Sequence, residues 1–402
     1  MKQDRKKIFA CLIALLISLV LVLTGCGGSE QNEPAPSSGS ATPPASAGQD
    51  VEKEAPQIPG LTFTGTTPLR YAKQFTIYNY EDGYAVIDIV ESGTFLVVPE
   101  GKTAPEGLDE DIIVLQKPLD KIYLAATSAM SLFDAMDALD HIRMSGTQAS
   151  GWYVENAVAA MNAGDIIYAG KYSAPDYETM IKEGCNLAVE STMIYHTPKV
   201  KEMIEDLGIP VLVDNSSYEG DTLGRTEWIK MYAILVDKEA EAEAFFNEQA
   251  KIAEELEDFP NTGKTVVYFH VNTNGGIVIR TPQDYIAKMI DTAGGVYAFA
   301  DLKTDQTSST MEITEEEFFS TASNADYIIY NGTIDTPLSS VDELLSKNEM
   351  FSEFKAVKEG NVYTTGKSFY QSTDIAAQMI RDIHIILTDG DLSQMTFLTK
   401  VE

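Results

Sequence analysis

Cysteine is scarce in this chain of 402 residues, which has three, at positions 11, 26 and 185. The first two fall within the first 26 residues, so Cys185 stands alone in the body of the chain. A lone cysteine excludes an intramolecular disulfide there, and no CxxC pair suggests a zinc ribbon or a redox motif. We interpret Cys185 as a buried thiol.

Basic charge is also in short supply. The chain has 29 lysines and arginines against 61 aspartates and glutamates, a formal net charge of −32. The first 25 residues hold four basic side chains and one acidic one, so the rest of the chain carries −35. Such a surface repels nucleic acids, and we predict no nucleic-acid partner. The arginines beyond residue 25 are the scarce planar donors for an anionic ligand: Arg70, Arg143, Arg225, Arg280 and Arg381.

Signatures of common enzyme classes are missing from the sequence. It contains no GxGxxG after a predicted strand, no GxxxxGK[ST], no GxSxG and no HExxH. Acidic pairs are abundant, but in so acidic a chain they carry no diagnostic value. We predict that the protein is not an enzyme, and an unrecognised extracellular hydrolase stays as an alternative.

Histidine is rare, with four residues in the chain. His141 and His384 fall within or next to predicted helices, and we interpret them as structural. His196 and His270 follow predicted strands in different halves of the chain, which makes them weak candidates for a metal or chelate contact. Two histidines are too few for a closed Zn²⁺ site, which takes three or four protein ligands, so we predict no metal site.

The N-terminus has the features of an export signal. Four basic residues within positions 2–7 precede an apolar run at 8–23. The next residues, "LTGC" at 23–26, resemble a bacterial lipobox, which implies cleavage after residue 25 and lipid on Cys26. An uncleaved anchor is the alternative. Residues 26–59 are poor in large apolar side chains, which predicts a disordered tether. We therefore expect an extracytoplasmic protein that is lipid-anchored to the cell membrane.

Strand and helix patterns alternate through the rest of the chain. A β-hairpin or meander is predicted at 75–98, and strand-helix alternation begins near residue 121. Residues 226–256 lack Gly and Pro and predict a long helix, about 45 Å at about 1.5 Å per residue, with Asp237-Lys238 as a candidate break. The alternation then restarts. This predicts an α/β fold with two lobes, 60–221 and 259–402, each with a mainly parallel sheet flanked by helices. One long rigid backbone helix, 222–258, would join them.

Several segments resemble one family in both type and order. They are "DKIYLAATSAMSLFDAMDAL" (120–139), "YETMIKEGCNLAV" (177–189), "IEDLGIPVLV" (204–213), "LGRTEWIKMYAIL" (223–235), "IAKMIDTAGGVYAF" (286–299), "NADYIIYNG" (324–332) and "FKAVKEGNVYTT" (354–365). This series, spread over roughly residues 117–402, resembles the substrate-binding lipoproteins of ABC importers for iron complexes, haem and cobalamin. The strands at 75–98 lie outside the resemblance.

The resemblance implies a monomeric clamp that captures a ligand between its lobes and delivers it to a membrane permease with its ATPase subunit. No permanently bound cofactor is implied. The implied cargo is a small-molecule metal chelate, and the leading hypothesis is an iron-siderophore complex. Haem, cobalamin, free metal ion or a purely sensory role remain open.

In such folds the ligand lies at loops that follow the carboxyl ends of the strands. Those loops are rich in Tyr, Asn, Ser and Gly here. Our candidate ligand contacts are Arg225, Trp152, Tyr153, Tyr195, Tyr218, Arg280, Asn272, Tyr330, Tyr370 and Ser128. By resemblance, an acidic residue on each lobe docks on arginines of the permease. Glu178 would serve the first lobe, and Glu316 or Glu317 the second.

Overall fold

The computed structural model describes residues 54–402 except 258 and 305–307. The predicted export signal, Cys26 and residues 26–53 of the predicted tether lie outside the described residues. The strands in the described part are β1 Phe63–Thr66, β2 Phe75–Tyr80, β3 Ala85–Ile89, β4 Gly93–Val98, β5 Ile112–Gln116, β6 Ile122–Leu124, β7 Ile142–Ser145, β8 Ile167–Tyr168, β9 Gly170–Lys171, β10 Ala174–Pro175, β11 Leu187–Ser191, β12 Val211–Asp214, β13 Thr265–Val271, β14 Ile277–Arg280, β15 Val296–Tyr297, β16 Thr310–Ile313, β17 Tyr327–Tyr330, β18 Val362–Thr365 and β19 Leu398–Lys400.

Helices separate most of the strands after β6. They are α1 Met130–Ala135, α2 Glu155–Ala163, α3 Tyr177–Glu183, α4 Pro198–Asp206, α5 Thr222–Val236, α6 Glu239–Glu257, α7 Tyr285–Thr292, α8 Glu315–Ala322, α9 Val341–Lys347, α10 Lys355–Glu359 and α11 Ala377–Leu387. Among the residues that the structure describes, no helix is both long and apolar enough to cross a bilayer.

The β-hairpin or meander predicted at 75–98 forms β2, β3 and β4 of a separate N-terminal sheet, which has the order β1-β2-β3-β4-β5. Neighbouring strands are antiparallel except for the parallel pair β4–β5. Side chains alternate between the two faces. One face, with Phe75 and Phe95, joins the main core, and the other, with Tyr78 and Leu96, forms a smaller cluster.

The end of the predicted tether is folded, which corrects the boundary at residue 59. Ile58 is buried in the outer cluster of the N-terminal sheet, and the Tyr80 hydroxyl donates a hydrogen bond to the carbonyl oxygen of Pro56. The outer face of this sheet would otherwise expose apolar side chains, so the chain just before it serves as a cover.

Each lobe contains the predicted sheet. In the first lobe the order is β12-β11-β6-β7-β8, and all neighbours are parallel. In the second the order is β16-β14-β13-β17-β18-β19, with β15 also paired to β13. Its central strands β13, β17 and β18 are parallel, whereas β14, β16 and β19 run antiparallel to their neighbours. The second sheet is thus mixed at its edges.

The single backbone helix predicted at 222–258 is wrong. The chain forms two helices, α5 and α6, and Asp237 between them has a left-handed backbone with φ 56°. The Lys230 ammonium lies 2.8 Å from a Glu243 carboxylate oxygen and 4.7 Å from the centroid of the Phe246 ring. Lys230 and Phe246 would be about 24 Å apart along one continuous helix, so the chain turns sharply at Asp237. Aspartate tolerates this conformation better than most residues.

Helix α5 is buried on nearly all sides and anchors the N-terminal sheet. The Glu227 carboxylate accepts hydrogen bonds from the backbone N–H groups of residues 70, 71 and 72, and the Glu219 carboxylate accepts from those of residues 73 and 74. The Lys230 ammonium lies 3.2 Å from Glu227 and offsets its charge. Buried carboxylates with this many donors fix the position of the sheet on the helix.

Candidate ligand-binding site

A buried aspartate organises the carboxyl edge of the first-lobe sheet. The Asp214 carboxylate at the end of β12 accepts hydrogen bonds from the Tyr232 hydroxyl at 2.6 Å, the Ser128 hydroxyl at 3.2 Å and the backbone N–H of Ser216 at 2.7 Å. It therefore fixes the loops that follow β6 and β12. Ser128 lies at the predicted edge and is partly exposed.

The N-terminal sheet reaches the same edge. The side-chain amide of Asn215 donates hydrogen bonds to the carbonyl oxygen of Val90 at 2.7 Å and to the Ser92 hydroxyl at 3.0 Å. Ser92 shares a 2.9 Å hydrogen bond with the hydroxyl of the exposed Tyr195. Tyr218 lies beside them. Burial, followed by the nearby Tyr195 and Glu91, raises the pKa of Tyr218, and its bond to Thr192 opposes the shift.

Two of the predicted arginines meet at one aromatic ring. The Arg225 guanidinium, in the first turn of α5, lies 4.4 Å from the centroid of the Tyr285 ring. The Arg280 guanidinium, at the end of β14, lies 5.9 Å from the same centroid. Arg225 carries a buried Nε that has no hydrogen-bond partner among the described residues, so this donor is not used by them. The two guanidiniums concentrate positive charge in a strongly acidic molecule.

In the part of the chain that the structure describes, Arg280 has one carboxylate partner. Its guanidinium lies 3.5 Å from the Asp284 carboxylate at the head of α7. Burial raises the pKa of Asp284, while the nearby Arg280 and Arg225 lower it. Among the described residues, one carboxylate therefore faces two guanidiniums, and these three groups together carry a net positive charge when all are ionised.

The two weak metal candidates lie in different environments. His270 on β13 is buried, and burial first, then the charge of Arg280, lowers its pKa to about 4. It is therefore neutral at pH 7. His196 is exposed. In the described residues, no group of three or more His, Cys, Asp or Glu side chains is arranged to hold a metal ion.

A seam of contacts joins the lobes. The Gln371 side chain accepts a 2.7 Å hydrogen bond from the backbone N–H of Tyr153 and donates a 2.7 Å bond to the carbonyl oxygen of Gly151. The rings of Tyr153 and Tyr370 meet edge to face, with their centroids 6.2 Å apart. Tyr153 is 45% exposed, so this pair lies at an accessible part of the seam.

Further contacts continue the seam toward α5. The Thr226 hydroxyl donates to the carbonyl oxygen of Thr373 at 2.8 Å, and Lys288 on α7 pairs with Asp221. Neither Gln371 nor Thr373 was predicted as a contact, because an amide or hydroxyl in a loop is not distinctive.

Three predicted ligand residues have structural roles instead. Trp152 is buried, and its indole N–H donates to the Ser145 hydroxyl at 3.0 Å. Tyr330 is fully buried and its hydroxyl bonds to Asp335. The Asn272 carbonyl accepts from the backbone N–H groups of residues 274 and 276, which holds the turn between β13 and β14. Packing and turn geometry therefore occupy these side chains.

The two predicted docking helices share one register. Asp176 caps α3 and Thr314 caps α8, each through a hydrogen bond to the third helical N–H. Glu178 and Glu316 are the second residues of these helices, and both are exposed. The fifth residues are the exposed apolar Ile181 and Phe319. By this register Glu316, rather than Glu317, is the counterpart of Glu178.

Residues 135–369 match the sequence model of the family described as "Periplasmic binding protein". The chain belongs to this family. Two uncharacterized lipoproteins of Methanocaldococcus jannaschii are each 25% identical to it; the first match covers 80% of this chain and 82% of the relative, the second 96% and 97%. The family match begins after β5, so the N-terminal sheet precedes it.

Solved structures of such proteins share the fold. A periplasmic haem-binding protein of Vibrio cholerae superposes with a TM-score of 0.53 at 15% identity, covering 66% of this chain and 98% of that one. A structure described as an ABC-type Fe³⁺-hydroxamate transport system from Saccharomonospora viridis gives 0.51 at 17% identity, covering 67% and 93%. At such identities the likeness establishes the two-lobe α/β architecture.

Proposed function

We propose that this periplasmic binding protein is the extracytoplasmic substrate-binding component of an ABC importer. It captures a metal chelate, most simply an iron-siderophore-type complex, between its lobes and delivers it to a permease coupled to an ATPase. The observation that carries this proposal is the convergence of Arg225 and Arg280 on Tyr285. Guanidiniums hold carboxylates and other planar anions with paired hydrogen bonds, so two of them near one ring suit an anionic group on a ligand.

The proposed class of cargo is taken from solved structures of the same fold. These structures include one described as a haem-binding protein and one described as an ABC-type Fe³⁺-hydroxamate transport system. Both ligands present a metal inside an organic shell, and the partly exposed tyrosines here suit such a surface. Haem, cobalamin and free metal ions are the alternative cargoes.

A thermal-shift panel tests the proposal on the full chain purified in detergent. The panel contains a ferric trihydroxamate, haem, cobalamin, and free Fe³⁺ and Zn²⁺. A ligand at one hundred times its Kd stabilises the folded state by about 2.7 kcal/mol. A shift with one chelate identifies the cargo class, and a shift with free metal alone would contradict the chelate proposal.

The arginine pair is tested by titration calorimetry with the chelate that binds. Arg225→Ala should weaken binding about 10- to 100-fold, because a hydrogen bond to a charged group contributes about 1.5–3 kcal/mol. Arg225→Lys should recover part of this loss, since it keeps the charge but not the planar fork. The matched control is Arg381→Ala, an exposed arginine on α11. Unchanged affinity in Arg225→Ala would remove the arginine pair from the site.

Docking on the permease is assigned to Glu178 and Glu316. Both are exposed on the first turns of equivalent helices and would meet basic residues of the membrane subunits. Charge reversal, Glu178→Arg or Glu316→Arg, should abolish uptake in cells and leave ligand affinity unchanged. Glu317→Arg, one residue along the same helix, is the control. If Glu317→Arg abolishes uptake and Glu316→Arg does not, the register is wrong.

The lipid anchor is assigned to Cys26. Attachment there would hold the protein at the outer face of the cell membrane, with the intervening chain as a tether. Cys26→Ser should abolish the incorporation of labelled fatty acid and release the protein into the medium. Retention of the label would contradict the assignment.

A further inference from the structure

The turn between β3 and β4 lies on the ligand-binding edge of the first lobe. Its residues Val90 and Ser92 are held by the amide of Asn215, which follows β12. Ser92 also bonds to Tyr195, which follows β11. The carboxyl ends of parallel strands are where ligands bind in such sheets. The turn therefore adds a wall to the site from a sheet that precedes the matched family region.

Asn215 fixes the turn rigidly. The asparagine is almost completely buried, and both of its amide hydrogen bonds go to the turn. Because the Val90 carbonyl oxygen can only accept, the Asn215 atom that bonds to it is the nitrogen. The remaining side-chain oxygen is a buried acceptor without a hydrogen-bond partner among the described residues. Within the described part of the chain, the Asn215 oxygen has no hydrogen bond while the nitrogen of the same side chain bonds to the turn. Such exceptions are rare among buried polar groups, and this one indicates that the position of the turn is specified.

Glu91 is the residue that the turn presents. Its backbone is left-handed, with φ 57°, and its side chain is exposed. In the described part of the chain its carboxylate forms no ion pair. Tyr218 lies close enough for the Glu91 charge to contribute to the raised pKa of that phenol. The turn thus brings an uncompensated carboxylate to a pair of tyrosines, Tyr195 and Tyr218.

We propose that the Glu91 turn forms one wall of the ligand site and that Glu91 selects chelates bearing a cationic group. This inference rests on the proposed function. The segment from Asn215 to the first turn of α5 then has opposite charges at its two ends, with Glu91 against its start and the Arg225–Arg280 pair at its end. Such a polarised site orients a dipolar ligand and disfavours one with an anionic group facing Glu91.

Two matched probes test the selectivity on the full chain. One is a linear ferric trihydroxamate that ends in a free ammonium group, and the other is the same chelate with that amine acetylated. Wild-type protein should bind the ammonium form about two- to fivefold more tightly, the range of a solvent-accessible ion pair. This preference should shrink as salt is added. Glu91→Gln should equalise the two affinities, and Glu91→Lys should reverse the order.

Glu100→Gln is the matched control. Glu100 is exposed and follows β4, at the end of that strand opposite the Glu91 turn. It should keep the wild-type preference. No preference in wild type, a preference that survives Glu91→Gln, or binding of haem or cobalamin but neither trihydroxamate overturns the inference and leaves the proposed function intact. If no chelate of any kind binds wild type, the proposed function fails and the inference with it.

Discussion

Removal of the Gln371 side chain should open the molecule. Gln371 is fully buried at the seam and belongs to the second lobe, and its two partners, Gly151 and Tyr153, belong to the first. The contacts bridge more than two hundred residues of sequence. Gln371→Ala removes both bonds between the lobes. The Gly151 carbonyl oxygen and the Tyr153 N–H would then bond to water or remain without a partner.

The magnitude follows from the two bonds. Each is 2.7 Å long, and a typical intramolecular hydrogen bond contributes about 0.5–1.5 kcal/mol net. Their joint loss should therefore cost the lobe-closed state about 1–3 kcal/mol. This corresponds to a decrease of about 5- to 150-fold in the ratio of closed to open molecules. The apparent affinity for ligand should fall in proportion once the open form predominates.

Spin-label distance measurement is the assay. Labels on Lys182→Cys, in α3, and Glu359→Cys, in α10, report the separation of the lobes, because both positions are exposed. Protein expressed from residue 54 leaves Cys185 as the sole native cysteine. Burial raises the pKa of the Cys185 thiol to about 11, so it reacts slowly at neutral pH.

The control is Gln394→Ala, an exposed glutamine whose side-chain bond goes to nearby Asp391. It should leave both the distance distribution and ligand affinity as in wild type. If Gln371→Ala also leaves the distance distribution unchanged, the seam is held by other contacts and the reasoning is refuted.

Three further predictions concern buried carboxyl groups and are checked by urea unfolding. Burial raises the pKa of Asp374 to about 6, from about 4 in the unfolded chain, so the folded state binds the carboxyl proton more tightly. The contribution of Asp374 to wild-type stability should therefore decline as the pH rises from 4 to 6. Asp374→Asn should remove this decline and stabilise the protein at pH 7 by about 1–3 kcal/mol; an unchanged pH profile would contradict this. Glu190 is fully buried, neither of its carboxylate oxygens has a hydrogen-bond partner among the described residues, and burial raises the pKa of the carboxyl group. Glu190→Met should therefore stabilise the protein by about 1–3 kcal/mol, and a destabilised variant would contradict this. Glu227→Gln should lower the free energy of unfolding by about 2–4 kcal/mol, because it weakens the backbone bonds to the N-terminal sheet and leaves Lys230 without its buried partner. A loss below about 0.5 kcal/mol, which is typical of a surface change, would refute the anchoring role.

Local sequence determined the elements of this protein. Residues 75–98 alternate apolar and polar side chains, and the structure has β2, β3 and β4 there. Buried strands such as β11 and β12 are short apolar runs, and the helices between them begin and end at ordinary caps, including Asp176 and Gly184 around α3. These signals lie within a few residues of one another, because backbone conformation and burial of one face depend on nearest neighbours in the chain.

Local sequence determined less well whether the region of α5 and α6 forms one helix or two. Residues 226–256 lack Gly and Pro and predict one long helix with Asp237-Lys238 as a candidate break, and the chain does turn at Asp237. Helix propensity alone does not distinguish one helix from two, since a single left-handed residue costs little compared with the apolar area that α5 buries by packing in the centre. The choice was therefore tertiary.

Tertiary structure alone decided which side chains meet. Arg225 and Arg280 were predicted separately, but their shared ring, Tyr285, depends on the antiparallel β14 and on the position of α7 against α5. Neighbours in sequence separated as well: Trp152 packs inward while Tyr153 faces the seam. The Glu91 turn lies within the meander predicted at 75–98, but its place at the site had no signal, since it depends on where a separate sheet docks. Local sequence specifies conformation within a segment, whereas a binding site is set by sheet order and packing between segments far apart in the chain, which no local pattern encodes.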